Sequence, residues 1–361
     1  MKRILCLIDN LGSGGAQRQL TNLSVILKNE GYDVQFLTYG DDDFYISVLN
    51  ENRIPVHAAK SNGKLKRILA VRKTIKCLSP DTVISFLDTP NFIACVAKMF
   101  GGKWKLITSE RSAKEERFPK FRNKVYNWFE RYSDAKVCNS QNARSMWEHY
   151  YPQYRKKYTV IYNPVMIDNP VEEQHFYLSD GKLHMVVAAS YQKLKGPLML
   201  IEAVQQLDAS QKIKLIIDWY GKAEVTTGDT AIYDEAVRMI ERYQLGDVIV
   251  LHGEIRNIYP IMSRADVIGL FSTVEGLPNA ICEGMTLGKP IMMTKVSDCA
   301  VLVNGNGVIC EATVEGIRNG LGELLTYDKQ KLTEMGSVSK QKAEQLFSVE
   351  SIKKQWLSVI Y

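Results

Sequence analysis

The sequence has 361 residues, enough for about two domains at the usual size of roughly 100 to 200 residues each. Hydrophobic residues make up 45% and charged residues 24%, which excludes a disordered chain. The net charge of +6 is unevenly distributed, because residues 1–165 hold 27 Lys and Arg against 15 Asp and Glu, and the remaining residues hold 19 against 25. The two parts of the chain therefore face partners of different charge.

Short apolar runs alternate with longer amphipathic stretches along the whole chain, the pattern of βαβ units with parallel strands. We predict α/β architecture with two doubly wound sheets. The first sheet is predicted to contain strands at 4–8, 34–37, 83–87, 106–109, 137–138 and 159–162. The second is predicted to contain strands at 185–189, 214–218, 248–251, 267–271, 290–293 and 308–310.

A linker is predicted at 163–180, where prolines and acidic residues replace the apolar period. The first domain is then 1–165 and the second 166–347, followed by an amphipathic helix within 348–361. Ligands of open α/β sheets bind at the carboxyl ends of the strands, so we expect a binding cleft between the two domains. No run is apolar and long enough to span a bilayer or act as a signal peptide, and we expect a cytoplasmic protein.

A glycine-rich loop at 12–17, which includes Gly14 and Gly15, separates the first strand from the first helix. Glycines at such a point let backbone N–H groups approach an anion, and the helix dipole favours negative charge. The sixth position is Gln17 where the dinucleotide fingerprint has Gly or Ala, and no Walker Lys-Ser/Thr follows. The loop is either a phosphate site or a structural tight turn.

A second candidate site runs from Ser272 to Glu283, from a strand end through a Gly/Pro turn into a helix that we expect to stop at Gly288. We place Pro278 in the first helical turn, and the N–H groups around this turn could bind an anion. Glu275 and Glu283 then lie on either side of that anion site. The alternatives are a capping or solvated role for Glu275 and a surface position for Glu283.

These residues resemble the signature of the family-four retaining glycosyltransferases of GT-B fold. The resemblance rests on the two glutamates with seven residues between them, the turn 275–278, the segment 287–291, the Lys195-Gly196 pair and the first glycine loop. Asn163-Pro164 stands where the family's linker opens, and the last helix is similar to the one that crosses back to the first domain. The resemblance implies an acceptor-binding first domain and a donor-binding second domain.

The resemblance also implies residue roles. Glu283 would bind the nucleotide ribose, Glu275 would contact the donor sugar, and Lys195 would bind the diphosphate and act in catalysis. The donor-binding set implied in this way comprises Gly14, Gly15, Lys195, Glu275, Gly276, Leu277, Pro278, Asn279 and Glu283. A fixed ammonium and a helix N-terminus stabilise the charge that grows on a leaving nucleoside diphosphate, so such a site needs no metal or other cofactor.

The chain departs from the family pattern at two places. The family often has Gly-Arg-Leu before its Lys-Gly pair, whereas this chain has Ala189-Ser190-Tyr191, so the second cation on the phosphates is missing. The family also often has a histidine at the end of the strand predicted here at 106–109, and this chain has Arg111 at about that place. Catalytic contact with the donor sugar would come from Arg111, from Glu110 or from neither.

The segments 85–91 and 109–112 are similar to those of bacterial transferases that add N-acetylgalactosamine or related hexosamines to lipid-linked glycans. This implies retaining transfer from a UDP-sugar to a lipid-linked or polysaccharide acceptor. The attack could be front-face, or Glu275 could be the nucleophile. Two alternatives stay open: a non-catalytic nucleotide-sugar-binding subunit, and a nicotinamide-dependent oxidoreductase, which Gln17 disfavours.

Two basic amphipathic stretches, 64–78 and 117–131, interleave Lys and Arg with apolar and aromatic residues. Such faces suit an anionic bilayer, although both could pack on the first sheet. We expect peripheral attachment at the inner membrane face and no nucleic-acid binding. The seven cysteines are read as reduced core residues, the five histidines are isolated, and Asp41-Asp42-Asp43 lies in the wrong domain for a catalytic metal.

Overall fold

The computed structural model describes residues 2–111, 115–167, 180–224 and 228–361. It divides into two compact units: Met1–Met166 with Ser348–Tyr361, called unit 1, and Ile167–Phe347, called unit 2. The division falls one residue after the predicted boundary at 165. Residues 168–179 of the predicted linker lie outside the described residues.

Unit 1 is built on a parallel sheet of seven strands in the order β3-β2-β1-β4-β5-β6-β7. The strands are β1 Arg3–Leu7, β2 Asp33–Thr38, β3 Val56–Ala58, β4 Thr82–Phe86, β5 Lys105–Glu110, β6 Ala135–Cys138 and β7 Tyr158–Val160. The helices that precede unit 2 are α1 Gly15–Asn29, α2 Ile46–Glu51, α3 Lys64–Leu78, α4 Asp88–Met99, α5 Phe121–Phe129 and α6 Gln141–Tyr150. Short 3-10 turns lie at Glu115–Arg117, Glu130–Tyr132 and Pro152–Lys157.

Unit 2 contains a parallel sheet of six strands in the order β10-β9-β8-β11-β12-β13. The strands are β8 Leu183–Ala188, β9 Leu215–Tyr220, β10 Ile249–His252, β11 Val267–Leu270, β12 Ile291–Thr294 and β13 Gly307–Cys310. The helices are α7 Pro197–Gln205, α8 Ala209–Lys212, α9 Ala231–Arg242, α10 Tyr259–Arg264, α11 Asn279–Thr286, α12 Cys299–Leu302, α13 Val314–Leu324 and α14 Lys329–Phe347. A 3-10 turn at Lys193–Lys195 precedes α7.

The last helix, α15 Val349–Ile360, completes the core of unit 1. The Ser348 hydroxyl accepts a hydrogen bond from the Ser351 amide and caps the helix start. The stripe of Ile352, Trp356 and Ile360 is buried in the same cluster as β1 and β4. The apolar residues that predict this helix in the sequence are thus the residues that it buries.

The predicted fold class, two doubly wound parallel sheets, is confirmed, and all twelve predicted strands are present with shifted ends. The prediction missed β3, because its three residues Val-His-Ala are half-exposed or exposed and form no apolar run. In the described parts of the chain, no helix combines the length and apolarity that a membrane crossing requires.

Candidate functional site

A charged cluster lies at the carboxyl end of β11 in unit 2. Glu275 Oε1 accepts a hydrogen bond of 2.7 Å from the Ser272 hydroxyl and one of 2.5 Å from Lys195 Nζ. The carboxylate is mostly buried, and the ammonium keeps about a fifth of its side chain exposed. The carboxylate is therefore held in one orientation by two donors, so a merely solvated Glu275 is excluded.

Gly196 lets the Lys195 turn approach the end of β11. Its φ of 77° lies in the left-handed region, and a Cβ there would lie 2.1 Å from the Phe271 carbonyl oxygen. The Thr273 amide also donates 2.8 Å to the Leu194 carbonyl. The Lys-Gly pair seen in the sequence thus forms a tight turn that brings the Lys195 ammonium to Glu275.

The turn after Glu275 leads directly into α11. Pro278 is the residue before the first helical residue, Asn279, so its predicted place inside the first turn is wrong by one position. Its missing N–H costs nothing there, since the first amides of a helix have no intrahelical acceptor. The Ser297 hydroxyl donates to the Gly276 carbonyl and fixes the turn.

Glu283 lies in the second turn of α11 and is 5% exposed. The alternative that it is a surface helix residue is therefore wrong. The expected end of the helix at Gly288 is also late, because α11 ends at Thr286 and Gly288 has a left-handed φ of 68°. The helix start, Lys195 and Glu283 together offer amide and ammonium donors for an anion and a buried carboxylate for hydroxyl groups.

The glycine loop of unit 1 differs from a simple phosphate loop. Gly14 is the N-cap of α1, with Gly15 as its first residue, and a Cβ on Gly14 would lie 2.3 Å from Gln17 Oε1. Gln17 Nε2 lies 3.3 Å from Asp9 Oδ1. Burial, with a smaller contribution from Asp42, raises the pKa of Asp9 above its usual value. The carboxylates of Asp9 and Asp42 would repel a phosphate at this loop. The donor-binding role of Gly14 and Gly15 stays a prediction.

Arg111 follows β5 in unit 1, with its guanidinium fixed on two sides. Its Cζ lies 3.7 Å from the centroid of the Phe86 ring, and its Nη1 donates 2.6 Å to Asn163 Oδ1. Burial lowers the pKa of Arg111 to about 9, which leaves it charged at neutral pH. Glu110 instead accepts a hydrogen bond of 3.0 Å from Trp147 Nε1 and is buried, so Arg111 is the better candidate to meet a ligand.

The structure also shows contacts that sequence reasoning missed. The motif assigns no role to Ser272, and nothing in the sequence signals that Phe86 and Asn163 hold Arg111. The stretch that departs from the family pattern has a structural role, because the buried Tyr191 hydroxyl lies 2.8 Å from the Trp219 carbonyl oxygen and 2.9 Å from that of His252 and can donate to either. Such contacts join distant chain segments, and spacing does not reveal them.

All seven cysteines are reduced thiols and six of them are buried, but Cys77 is exposed, so its assignment to the core is wrong. Over the described ranges of the chain, no group of three or more His, Cys, Asp and Glu side chains could hold a metal ion.

Comparisons with known proteins match both halves of the chain. A family model described as glycosyltransferase family 4 matches residues 13–169, and one described as glycosyl transferases group 1 matches residues 182–327. Together these two matches span most of the chain.

Two curated relatives come from Campylobacter jejuni. One is "GalNAc-alpha-(1->4)-GalNAc-alpha-(1->3)-diNAcBac-PP-undecaprenol alpha-1,4-N-acetyl-D-galactosaminyltransferase", 26% identical over 100% of this chain and 98% of the relative. The other is "N-acetylgalactosamine-N,N'-diacetylbacillosaminyl-diphospho-undecaprenol 4-alpha-N-acetylgalactosaminyltransferase", 25% identical over 91% of this chain and 92% of the relative.

Solved structures share the fold over the full length. Anabaena HepE in complex with UDP has a TM-score of 0.85 at 18% identity and covers 100% of this chain and 99% of its own. A mutant of S. aureus TarM in complex with Fondaparinux, alpha-GlcNAc-glycerol and UDP has a TM-score of 0.79 at 13% identity, with 100% of both chains covered. These likenesses show the fold.

Two doubly wound parallel sheets with these neighbours define the GT-B fold. The family models narrow the assignment further. The chain belongs to glycosyltransferase family 4 and is a glycosyltransferase, which confirms the resemblance read from its motifs.

Proposed function

We propose that this protein transfers a hexosamine from a UDP-sugar to a lipid-linked or polysaccharide acceptor with retention of configuration, without a metal or other cofactor. The observation that carries the proposal is the Ser272–Glu275–Lys195 cluster beside the start of α11. The activities for which the two Campylobacter relatives are named support a hexosamine and a lipid-linked acceptor. The UDP in the HepE and TarM complexes supports the nucleotide.

In this proposal, the donor binds unit 2. Lys195 and the amides of Gly276, Leu277 and Asn279 receive the diphosphate, and Pro278 shapes the turn without a donor of its own. Glu283 accepts hydrogen bonds from the ribose hydroxyls. As the glycosidic bond breaks, negative charge grows on the leaving UDP, and a preorganised ammonium stabilises it more in the transition state than in the ground state.

Glu275 contacts the donor sugar in this scheme. Its hydrogen bonds determine its orientation and its reactivity as a nucleophile. Two donors on Oε1 fix the direction of the carboxylate. They also lower its reactivity as a nucleophile, which favours front-face attack, with the leaving phosphate taking the acceptor's proton. From unit 1, Arg111 is proposed as the cationic catalytic residue that contacts the donor sugar.

Turnover and product stereochemistry test the proposal. Purified protein is incubated with UDP-hexosamines and a polyprenyl-diphosphate glycan, with and without EDTA, and the product anomer is assigned by NMR. We expect an α-linked product that is insensitive to EDTA, and a turnover reduced about 100-fold or more in Glu275→Gln and Lys195→Met. Tight UDP-sugar binding with no product under any condition would favour the non-catalytic alternative.

We further propose that unit 1 attaches to an anionic membrane through α3 and α5, which pack on either side of α4. α3 buries Val71 and Ile75 but leaves Leu65 78% exposed. On α5, Phe121 is 82% exposed, and Trp128, two helical turns further along the same face, is also exposed. Exposed apolar side chains among lysines and arginines fit the headgroup region of an anionic bilayer.

Vesicle flotation tests this attachment. Reversal of Lys64, Lys66, Lys73 and Lys76 to Glu should weaken binding to phosphatidylglycerol vesicles, since each cation near such a surface contributes roughly 1 kcal/mol. UDP affinity, measured in the same preparation, should be unchanged. Equal flotation of the variant and the wild type would contradict the membrane proposal.

A further inference from the structure

Ser297 in unit 2 has a backbone conformation that its place in the fold does not explain. Its φ of 52° lies in the left-handed region, which costs free energy for a serine. Arg53, Ser79 and Gln244 have similar angles, but each follows the end of a helix, where a left-handed residue is ordinary. Ser297 instead lies in the loop between β12 and α12. The contacts of this loop, rather than a helix end, therefore hold Ser297 in its conformation.

The loop is closed by its own backbone on both sides of Ser297. The Val296 amide donates 2.8 Å to the Thr294 carbonyl, and the Cys299 amide donates 3.2 Å to the Val296 carbonyl. These bonds keep the backbone of Ser297 in place. Its hydroxyl then reaches the neighbouring turn, where it donates to the Gly276 carbonyl.

Two hydroxyls of this loop hold the segment that carries Glu275. Thr294 is fully buried, and its Oγ1 donates 2.6 Å to the Ser272 carbonyl, at one end of the segment 272–276. The Ser297 hydroxyl binds the carbonyl at the other end. The loop after β12 thus fixes both ends of the segment, and the left-handed φ brings the Ser297 hydroxyl to the second of them.

The contact with Gly276 also sets the direction of the next amide. The Gly276 carbonyl and the Leu277 N–H belong to one planar trans peptide, so they point in opposite directions. Because the carbonyl faces the Ser297 hydroxyl, the N–H faces away from the loop after β12. A hydrogen bond to the carbonyl also polarises the peptide and strengthens its N–H as a donor. Among the described residues, no acceptor binds the Leu277 N–H, so this donor is available to a ligand.

We propose that Ser297 is a positioning residue for the donor diphosphate, whose hydroxyl orients the Leu277 N–H toward the phosphate oxygens through the Gly276 carbonyl. Ser297 does not touch the ligand in this role. The amide donates, and Ser297 determines where the amide points. An amide that is held in advance loses little freedom when the ligand binds, so its hydrogen bond contributes more to affinity. Because this role requires a diphosphate at the turn, it rests on the proposed function.

The affinities of two variants for UDP and uridine test the role, because only UDP carries the diphosphate. Ser297→Ala removes the hydroxyl and keeps the left-handed strain, whereas Ser297→Gly removes both. We expect the Kd for UDP, measured by calorimetry, to rise about tenfold in both variants. The Kd for uridine, measured by saturation-transfer NMR, should stay within about twofold of the wild type. Ser297→Gly should have a higher Tm than Ser297→Ala, so the loss of UDP affinity does not follow stability.

Gln244→Gly is the matched control. Gln244 has a φ of 54° in the same unit, but it is exposed beyond the end of α9, so its variant relieves the same strain away from the turn. This variant should bind UDP as the wild type does.

The possible outcomes separate the role of Ser297 from the proposed function. Equal UDP affinity in the wild type and both Ser297 variants, an equal loss of uridine affinity, or wild-type UDP affinity in Ser297→Gly would each overturn the positioning role and leave the proposed function standing. A wild type that binds no UDP would overturn both. A UDP-specific loss in both variants of a protein without turnover would uphold the role of Ser297 and contradict the proposed transfer activity.

Discussion

Gly196 illustrates how much of the candidate donor site depends on one residue. A side chain there meets two obstacles: a left-handed φ of 77° and a carbonyl oxygen 2.1 Å from the Cβ position. We expect Gly196→Ala to destabilise unit 2 by about 2 kcal/mol or more and to weaken UDP binding, because Lys195 moves with the turn. Calorimetry with and without UDP measures both effects.

Gly305 provides the matched control. Its φ of 81° is equally left-handed, but a Cβ there would meet nothing within 4 Å. Gly305→Ala should therefore show only the backbone cost and bind UDP normally. UDP affinity that is unchanged in Gly196→Ala would contradict the link between this glycine and Lys195.

Asp9 gives a pH-dependent prediction, because burial raises its pKa in the folded state. The folded protein then keeps this proton to a higher pH than the unfolded chain, so the wild type loses stability as pH rises through the interval between the two pKa values. Asp9→Asn removes that loss. We expect the variant to have a higher Tm than the wild type at pH 7, and the difference to shrink below about pH 4.

Asp43→Asn, at an exposed position of the same unit, controls for the change in net charge. A Tm difference for Asp9→Asn that is constant from pH 3 to pH 7 would show that burial of the charge is not its cause.

The residues that sequence alone could identify are those that belong to a spaced motif. Glu275 and Glu283 are identified by the seven residues between them and Lys195 by its pair with Gly196, and the structure brings Lys195 and Glu275 into contact. Ser272, Phe86 and Asn163 could not be named in this way, since each acts through a partner on another element. The pairing of Phe86 with Arg111 depends on how β4 and β5 lie in the sheet, which no local pattern encodes.

At the scale of elements, α15 joins the end of the chain to the core of unit 1. Trp356 is fully buried and stacks on Phe86 with ring centroids 6.2 Å apart. We expect Trp356→Ala to lower the free energy of unfolding by about 3 to 5 kcal/mol. Because Phe86 also supports Arg111, turnover should fall even at temperatures where the variant stays folded.

Trp128→Ala is the comparison for that variant, since Trp128 is 45% exposed on α5. It should change Tm little and reduce vesicle binding instead. A Trp356→Ala variant with the Tm of the wild type would contradict the role of α15 in the core.

Elements were predictable where burial imposes a period. Both sheets are buried by helices, so their strands appear as apolar runs, and α15 shows its stripe because only one face is covered. β3 was not predictable, because its side chains are solvated and it exists only through pairing with β2. The prediction for Pro278 was wrong by one residue because a helix accepts proline both just before its first turn and within it.

At the scale of the whole molecule, the two family models and the two units divide the chain in the same way. The excess of Lys and Arg falls within residues 1–165, which hold α3 and α5, and the acidic excess falls within the remainder. This asymmetry agrees with the proposed attachment of unit 1 to an anionic membrane.

The proposed function depends most directly on UDP binding to unit 2 through Glu283. Thermal unfolding of the wild type, Glu283→Gln and the exposed control Glu315→Gln is measured with UDP, GDP, ADP and NAD. A ligand at about 100 times its Kd stabilises the folded state by roughly 2.7 kcal/mol. We predict a shift that is largest for UDP in the wild type and the control, and that is lost in Glu283→Gln. A shift with NAD alone, or a UDP shift that Glu283→Gln leaves intact, would contradict the proposed donor site in unit 2.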